Sequence, residues 1–310
     1  MRNEFARLIH DRMKVDSRIF LLYGDIGNKL FDPIKNDFPK RVLNAGVAEA
    51  NMVTVAAGLA HGGLLPICYT INSFLYLKAL EQIKLDLAYP SRQVILVGTG
   101  GGLSYGELGT SHHSLEDYSV LSSIPNISIY SPGDFFELAM SLDLAANDSK
   151  PSYLRIGKKG EKNIAATDQE RHNLNNTFYR YFGAGNSDLA VVSIGIIGSS
   201  VKEALIKLEN NSNVDGYSVY KLSAWHDEEM IKCFGKYKSL LIIEEHYSIG
   251  GLSSLFKNLF FDNNVQGTNI YSQNISHEFI TSQGNQVDIR EKYNLNVKQI
   301  LNRIQSILEV

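Results

Sequence analysis

Positive charge is not in excess in this 310-residue chain: 30 lysines and arginines face 33 aspartates and glutamates, for a net charge of −3. That balance leaves no electrostatic footprint for nucleic acid. Cysteine is scarce, with only Cys68 and Cys233, far apart in sequence. Two such thiols cannot make a disulfide framework, so a reduced chain in the cytoplasm is expected. No uninterrupted apolar run approaches membrane-spanning length. The opening Met1-Arg2-Asn3-Glu4-Phe5-Ala6-Arg7 lacks the apolar region of a signal peptide. Low-complexity segments and short internal repeats are also lacking. What is present is the composition of a soluble globular protein, 44% hydrophobic and 20% charged, long enough for roughly two domains.

Those domains read as alternating strands and helices. An amphipathic helix over 2–14 leads into a strand at 19–23, and the turn Gly24-Asp25-Ile26-Gly27 closes it. Further strands are expected at 41–45, 65–70, 94–98, 127–130 and 152–155, with helices from Glu49, at 73–88 and at 135–146. Near-continuous apolar strands between helices imply a parallel sheet covered on both faces. A polar stretch from Lys158 to about Asn176 reads as a linker. A second alternating unit follows, with strands at 189–195, 214–222 and 239–243 and helices at 199–208 and 297–308. The expected fold class is therefore α/β with two doubly wound domains, 1–160 and 181–310, joined by a linker at 161–180. In such sheets ligands bind outside the carboxyl ends of the strands.

Glu49 stands at the head of a run, through Ala60, that is otherwise almost wholly apolar or small. The run is too apolar for a solvent-facing helix and reads as a buried one. A carboxylate there is either a working group, whose apolar surround favours the protonated form, or a glutamate helped by the helix dipole. The glycine-rich stretch Gly98 to Gly109 lets backbone approach a ligand, but it has neither Walker nor dinucleotide-fingerprint spacing. Ser111-His112-His113 follows, then Glu116-Asp117. Adjacent histidines point in different directions and no third ligand is suitably spaced, so no metal is expected there. An imidazole that carries a proton or hydrogen-bonds a substrate fits better.

Taken together, these motifs resemble the transketolase family. The similarity runs through Gly46-Val47-Ala48-Glu49-Ala50-Asn51-Met52, Ala56-Ala57-Gly58-Leu59-Ala60, Tyr69-Thr70-Ile71-Asn72-Ser73-Phe74 and Ala79-Leu80-Glu81-Gln82-Ile83. It continues through Ser111-His112-His113 with Glu116-Asp117, Ile124-Pro125-Asn126 and Ser131-Pro132-Gly133-Asp134. Glu244-Glu245-His246, Gly250-Gly251-Leu252, Phe279 and Gly284 resemble that family's C-terminal domain. The family's diphosphate-binding motif, glycine-Asp-glycine with a following asparagine, does not occur. The resemblance therefore implies the C-terminal subunit of a two-chain transketolase, a pyrimidine-binding domain followed by the C-terminal domain. The cofactor implied is thiamine diphosphate, with Mg2+ or Ca2+ held by a separate pyrophosphate-binding subunit, and the assembly is an α2β2 one in which this chain forms a homodimer.

By the same resemblance, Glu49 would hydrogen-bond N1′ of the aminopyrimidine and promote the tautomer that takes a proton from the thiazolium ring. Such a glutamate must hold a proton near neutral pH. Phe74 would stack on the pyrimidine, and Asp25, Ile71 and Lys78 would complete the cofactor side, Ile71 standing where a second aromatic is often found. His112 would be catalytic and face the substrate's oxygen atoms, while Lys158 and Arg155 would contact a sugar phosphate or nucleotide-linked sugar. The chain departs from the family at Leu108, where an aspartate usually receives a sugar hydroxyl; either the substrate is altered or Glu107 compensates. Two other classes remain open: a β-subunit of a 2-oxo-acid dehydrogenase, and a non-catalytic assembly subunit.

Overall fold

The apolar runs of the first half become six parallel strands. In the computed structural model, which describes all residues except Asn28, Ala166, Asn173, 209–212, 223–227 and Val310, these are β1 (Ile19–Tyr23), β2 (Val42–Asn44), β3 (Leu65–Ile71), β4 (Ile95–Thr99), β5 (Ser128–Tyr130) and β6 (Ser152–Ile156). Their order is β2-β1-β3-β4-β6-β5. The central strands β4 and β6 are buried throughout; β4 accordingly reads as an apolar run rather than an alternating one, whereas β6 encloses the charged Arg155. One face of the sheet is covered by α1 (Arg2–Val15), α2 (Asp32–Asp37) and α7 (Phe135–Ala146). The other carries α3 (Glu49–His61), α4 (Asn72–Lys78), a single turn α5 (Leu80–Gln82), the π-turn Ile83–Ala88 and α6 (Asp117–Ser122).

A second, mixed sheet follows. Its strands are β7 (Phe178–Phe182), β8 (Leu189–Ile194), β9 (Val214–Val219), β10 (Ser239–Tyr247) and β11 (Asn269–Ile275), in the order β11-β10-β8-β9-β7, with β7 antiparallel to β9. Helices α9 (Glu228–Phe234) and α10 (Leu252–Asp262) pack on one face, and α8 (Gly198–Ile206), α11 (Gln286–Lys292) and α12 (Val297–Leu308) on the other. Helix α12 shows why the sequence folds as it does. Asn296 caps it by accepting the Gln299 N–H, and Ile300, Ile304 and Ile307 form a buried stripe at helical spacing. Apolar contact is continuous between the domains, since one core cluster includes both Leu96 and Tyr153 of the first and Val192 and Ile242 of the second.

Several expectations change. The helix expected at 73–88 is broken at Ala79, so α4 ends at Lys78 and the π-turn separately buries Ile83, Leu87 and Ala88. The stretch expected as a linker is anchored at points: Ile164 and Ala165 are in the core and the Arg171 guanidinium lies 3.4 Å over the Phe136 ring, while Lys162, Asn163, Thr167, Gln169, His172 and Leu174 are exposed. Its C-terminal end enters β7, which crosses the boundary expected at 180. Helix α3 is not wholly buried, because Glu49, Met52, Val53 and Ala56 face the core while Asn51, Thr54 and Gly58 are exposed. The elements β7, β11, α2, α6, α9, α10 and α11 were not expected from the sequence, although α10 carries Leu252, Leu255, Phe256, Leu259 and Phe260 at helical spacing. No helix among the described residues is long and apolar enough to cross a membrane.

Helix α7 closes onto the second domain through Glu137. Its carboxyl group is fully buried, receives the Gly133 N–H at 2.6 Å and bonds Ser218 of β9 at 2.5 Å. Burial and the nearby Asp134 push its pKa up to about 8. The folded state therefore binds this proton more tightly than the unfolded chain, so the stability it contributes is complete at acidic pH and fades as pH rises toward that value. Thermal unfolding from about pH 5 to about pH 8.5 is expected to show a falling Tm that Glu137→Gln flattens; identical pH slopes for the two proteins would assign the effect elsewhere.

Candidate functional site

The strand order reverses between β1 and β3, since the chain runs from β1 outward to β2 and from β3 outward to β4. An open α/β sheet has its crevice at such a switch point, beyond the carboxyl ends of the strands. Here the crevice is bounded by the loop after β1, which carries Asp25, the start of α3 with Glu49, and the β3–α4 junction with Ile71 and Phe74. The loops are tied together: the Asp25 N–H bonds the Gly46 carbonyl at 3.0 Å, and the Asn44 amide donates to Asp25 Oδ1 at 3.0 Å. A cleft of about 420 Å3, lined by Tyr23, Asp25, Lys29, Lys35 and Asn44 among others, opens beside them.

Glu49 is the first residue of α3 and is 5% exposed. It sits where unpaired helix N–H groups gather. Lys78 Nζ lies 3.3 Å from Glu49 Oε2 and 4.3 Å from the centre of the Phe74 ring. The buried carboxylate and the aromatic face are thus within reach of one ammonium group. The His112 ring meets Phe74 edge-on at 5.0 Å and Tyr105 at 5.9 Å, and Ser111 Oγ contacts its Nδ1 at 3.0 Å. Burial lowers the His112 pKa, which keeps the ring neutral near pH 7 and able both to donate and to accept. The arrangement offers one carboxylate, one ring face, the Ile71 side chain and one imidazole along an open ledge. Those residue types suit the aminopyrimidine end of thiamine diphosphate. Among the described residues no three His, Cys, Asp or Glu side chains gather at metal-ligand spacing.

On the substrate side the sequence-expected residues divide. Leu108 ends a single 3-10 turn and is 53% exposed. Lys158 is half-exposed, with Nζ 3.8 Å from Glu107 Oε2 and 4.7 Å over Tyr105. Arg155 does not join it. The guanidinium is buried, stacked 4.4 Å over Tyr118, paired with Asp117 at 3.5 Å, and donates to the carbonyls of Ser114 and Glu245 at 3.0 and 2.7 Å. Its sequence position beside Lys158 suggested a phosphate contact; it stands instead on β6, a strand buried at every residue, where Asp117 pairs with it. His113 is likewise buried against the Gly106 backbone rather than paired with His112 in function. Tyr105, which buttresses both His112 and Lys158, was missed by the sequence reading, although a lone aromatic within a glycine-rich loop was a usable signal.

With this geometry in view, residues 1–160 match the family described as transketolase, pyrimidine binding domain. The chain is 32% identical over 231 residues to an apulose-4-phosphate transketolase subunit of Actinobacillus succinogenes, covering 72% of this chain and 71% of that protein. To the protein of the same name from Phocaeicola vulgatus it is 27% identical over 307 residues, covering 96% and 91%. A solved structure described as a split-gene transketolase, inactive beta4 tetramer, has a TM-score of 0.81 at 22% identity, covering 98% of this chain and 96% of that one, and shows the shared fold. The chain belongs to the transketolase family, whose members depend on thiamine diphosphate.

The two cations that lie close in sequence should respond differently to removal. Arg155→Met leaves Asp117 buried without its charge partner and is expected to lower the unfolding free energy by about 3–5 kcal/mol. Lys158→Met breaks only a surface pair and should change it by less than about 1 kcal/mol. Urea denaturation of both variants checks this, and equal midpoints would contradict the burial argument.

Proposed function

We propose that this chain is the C-terminal subunit of a two-chain transketolase that transfers a two-carbon ketol unit from a ketose phosphate to an aldose-type acceptor. The observation that carries the reading is the convergence of Glu49, Phe74 and Lys78 at the switch crevice. Thiamine diphosphate, when bound, supplies the nucleophilic carbon for ketol transfer. Glu49 would hold a proton at N1′ of its aminopyrimidine, Phe74 would fix the ring plane, Ile71 would wall it without stacking, and Asp25 would face it across the crevice. His112 would hydrogen-bond substrate oxygens in its neutral form. Lys158 would hold a phosphate, since an exposed pair such as that with Glu107 is worth only about 0–1 kcal/mol and yields readily to a dianion.

The diphosphate and its Mg2+ or Ca2+ would be held by a separate subunit, in keeping with relatives that are themselves named as transketolase subunits. The open face of α3, with Val47, Leu77, Leu85 and Tyr89 exposed on and beside the elements packed against it, would form the homodimer seam of an α2β2 assembly. The cytoplasm suits its two free cysteines. Isothermal titration tests the half-site directly: the purified chain alone should bind thiamine diphosphate weakly, and micromolar affinity without a partner would refute the split-site reading.

In the reconstituted complex, Glu49→Gln should preserve folding and assembly and lower turnover by about 10²–10⁴-fold. Near-normal turnover would remove Glu49 from the proton path. Leu108 sets the second expectation. Leu108 is 53% exposed in this chain; where a bound acceptor covers it, a hydroxyl there loses water without regaining a partner, at a cost of about 1–3 kcal/mol, so an acceptor lacking that hydroxyl, a deoxy or nucleotide-linked sugar, is preferred. Comparing kcat/KM for acceptors that differ only there, in wild type and Leu108→Asp, decides it; preference for the hydroxylated acceptor, unmoved by the aspartate, would make Leu108 a packing residue.

A further inference from the structure

The second sheet has a switch point of its own. β8 and β10 are neighbours, while β9 and β11 lie on opposite sides of that pair, so the crevice beyond their carboxyl ends is where such a sheet takes a ligand. Its occupant is the glycine-rich loop of the first domain. Glu245, near the end of β10, receives the Leu103 N–H on Oε2 at 3.3 Å, and its main-chain carbonyl receives Arg155. A Cβ on Gly102 would stand 2.3 Å from that same Oε2, and φ there is +64°, so glycine is required for the carboxylate to come so close. Farther along, a Cβ on Gly106 would meet the Gly284 carbonyl oxygen at 2.9 Å. Thr110 Oγ1 donates to the Ile280 carbonyl at 3.1 Å, and the Tyr247 N–H donates to the Leu115 carbonyl at 2.9 Å. The segment from Gly102 to Leu115, with Leu108 and His112 on it, is therefore tethered at several points from the second domain, while the first holds its far end through Ser73, which donates to the Ser111 carbonyl at 3.0 Å, and Asn72, which donates to Ser114 Oγ at 2.5 Å.

The Glu245 carboxylate is itself held rigidly. It is 4% exposed, and Arg290 Nε and the Gln286 amide of α11 donate to it, the latter at 3.2 Å to both oxygens. Three donors, from Leu103, Gln286 and Arg290, converge on two anionic oxygens, which is more than one neutral amide oxygen can satisfy. On the proposed ketol-transfer reading, we infer that Glu245 is a positioning residue for His112 and that the C-terminal domain acts as a clamp which sets the loop against the Glu49–Phe74 ledge.

The test uses Glu245→Gln and Thr110→Val, read by hydrogen exchange of the full chain and by kinetics of the reconstituted complex. Thr110 is exposed, so its variant removes one tether with little risk to folding. Amides of residues 102–115 are expected to exchange faster in both variants. For Glu245→Gln, kcat/KM should fall on the order of 10²-fold, as misplacement of a reacting group by about an ångström does, with acceptor KM raised and cofactor affinity changed much less. For Thr110→Val the fall should be about 2–10-fold, the scale of one hydrogen bond, with Tm unaltered. Should Glu245→Gln not assemble, Thr110→Val carries the test. Unchanged exchange in the folded variants, or faster exchange with kcat/KM intact, overturns the clamp. A wild-type complex without ketol transfer would remove the enzymatic reading instead, and the exchange result alone would then decide the clamp.

Discussion

The buried pair of Arg155 and Asp117 is the constraint on which the rest of the site depends. Arg155 is 6% exposed and Asp117 is fully buried. Two charges taken out of water cost several kcal/mol each unless their hydrogen bonds are replaced. Asp117 Oδ2 therefore receives the Tyr153 hydroxyl at 2.6 Å and the Asn72 amide at 2.9 Å, while Arg155 is met by two carbonyls and the Tyr118 ring. Asn72 also reaches Ser114 Oγ at 2.5 Å. Phe74 is two residues beyond Asn72, and His112 is two residues before Ser114. The network that satisfies one ion pair consequently fixes the spacing of the two rings on the ledge.

His246 shows how closely that network is balanced. Its ring stacks on Tyr118 at 4.6 Å and its Nδ1 contacts the Tyr247 carbonyl at 2.7 Å. Desolvation pulls its pKa down to about 4, so it stays neutral beside Arg155 instead of adding a second cation. Glu244, equally buried, is handled the opposite way: it receives the Leu252 and Ser253 N–H groups and the Ser253 hydroxyl at the start of α10. Glu244 is thus fully bonded, whereas Asp117 is bonded through Oδ2 alone: its Oδ1 has no hydrogen-bond partner and lies 3.7 Å from His246 Nε2.

The ledge itself is only half enclosed. Glu49 is buried, but Asp25 and Lys78 face solvent and α3 leaves one side open. The open face of α3 carries Asn51, Thr54, Gly58 and His61, polar or small residues that water tolerates, opposite the buried Met52, Val53 and Ala56. The run reads as a buried helix from its composition; in the folded chain one face, with Glu49, Met52, Val53 and Ala56, is buried and the other is open.

Much of the fold was legible because strand burial leaves a direct mark. The runs at 19–23, 65–70 and 94–98 are apolar on both sides, and only a parallel sheet covered twice demands that. Glu49 was legible for the complementary reason, as one charge in a segment that otherwise excludes charge. The amphipathic stripe of α12 gave its limits, Val297 to Leu308. Tertiary structure alone decided the rest. The break at Ala79 follows from packing, since local propensity there favours an unbroken helix. The role of Arg155 followed from the Asp117 carboxylate and the two carbonyls that enclose it, and the anchoring of Ile164 from Asp134, which receives its N–H at 3.0 Å. Periodicity reports how much of a segment is buried; which partner a buried charge finds depends on segments far away in the chain, and only the folded arrangement brings them together.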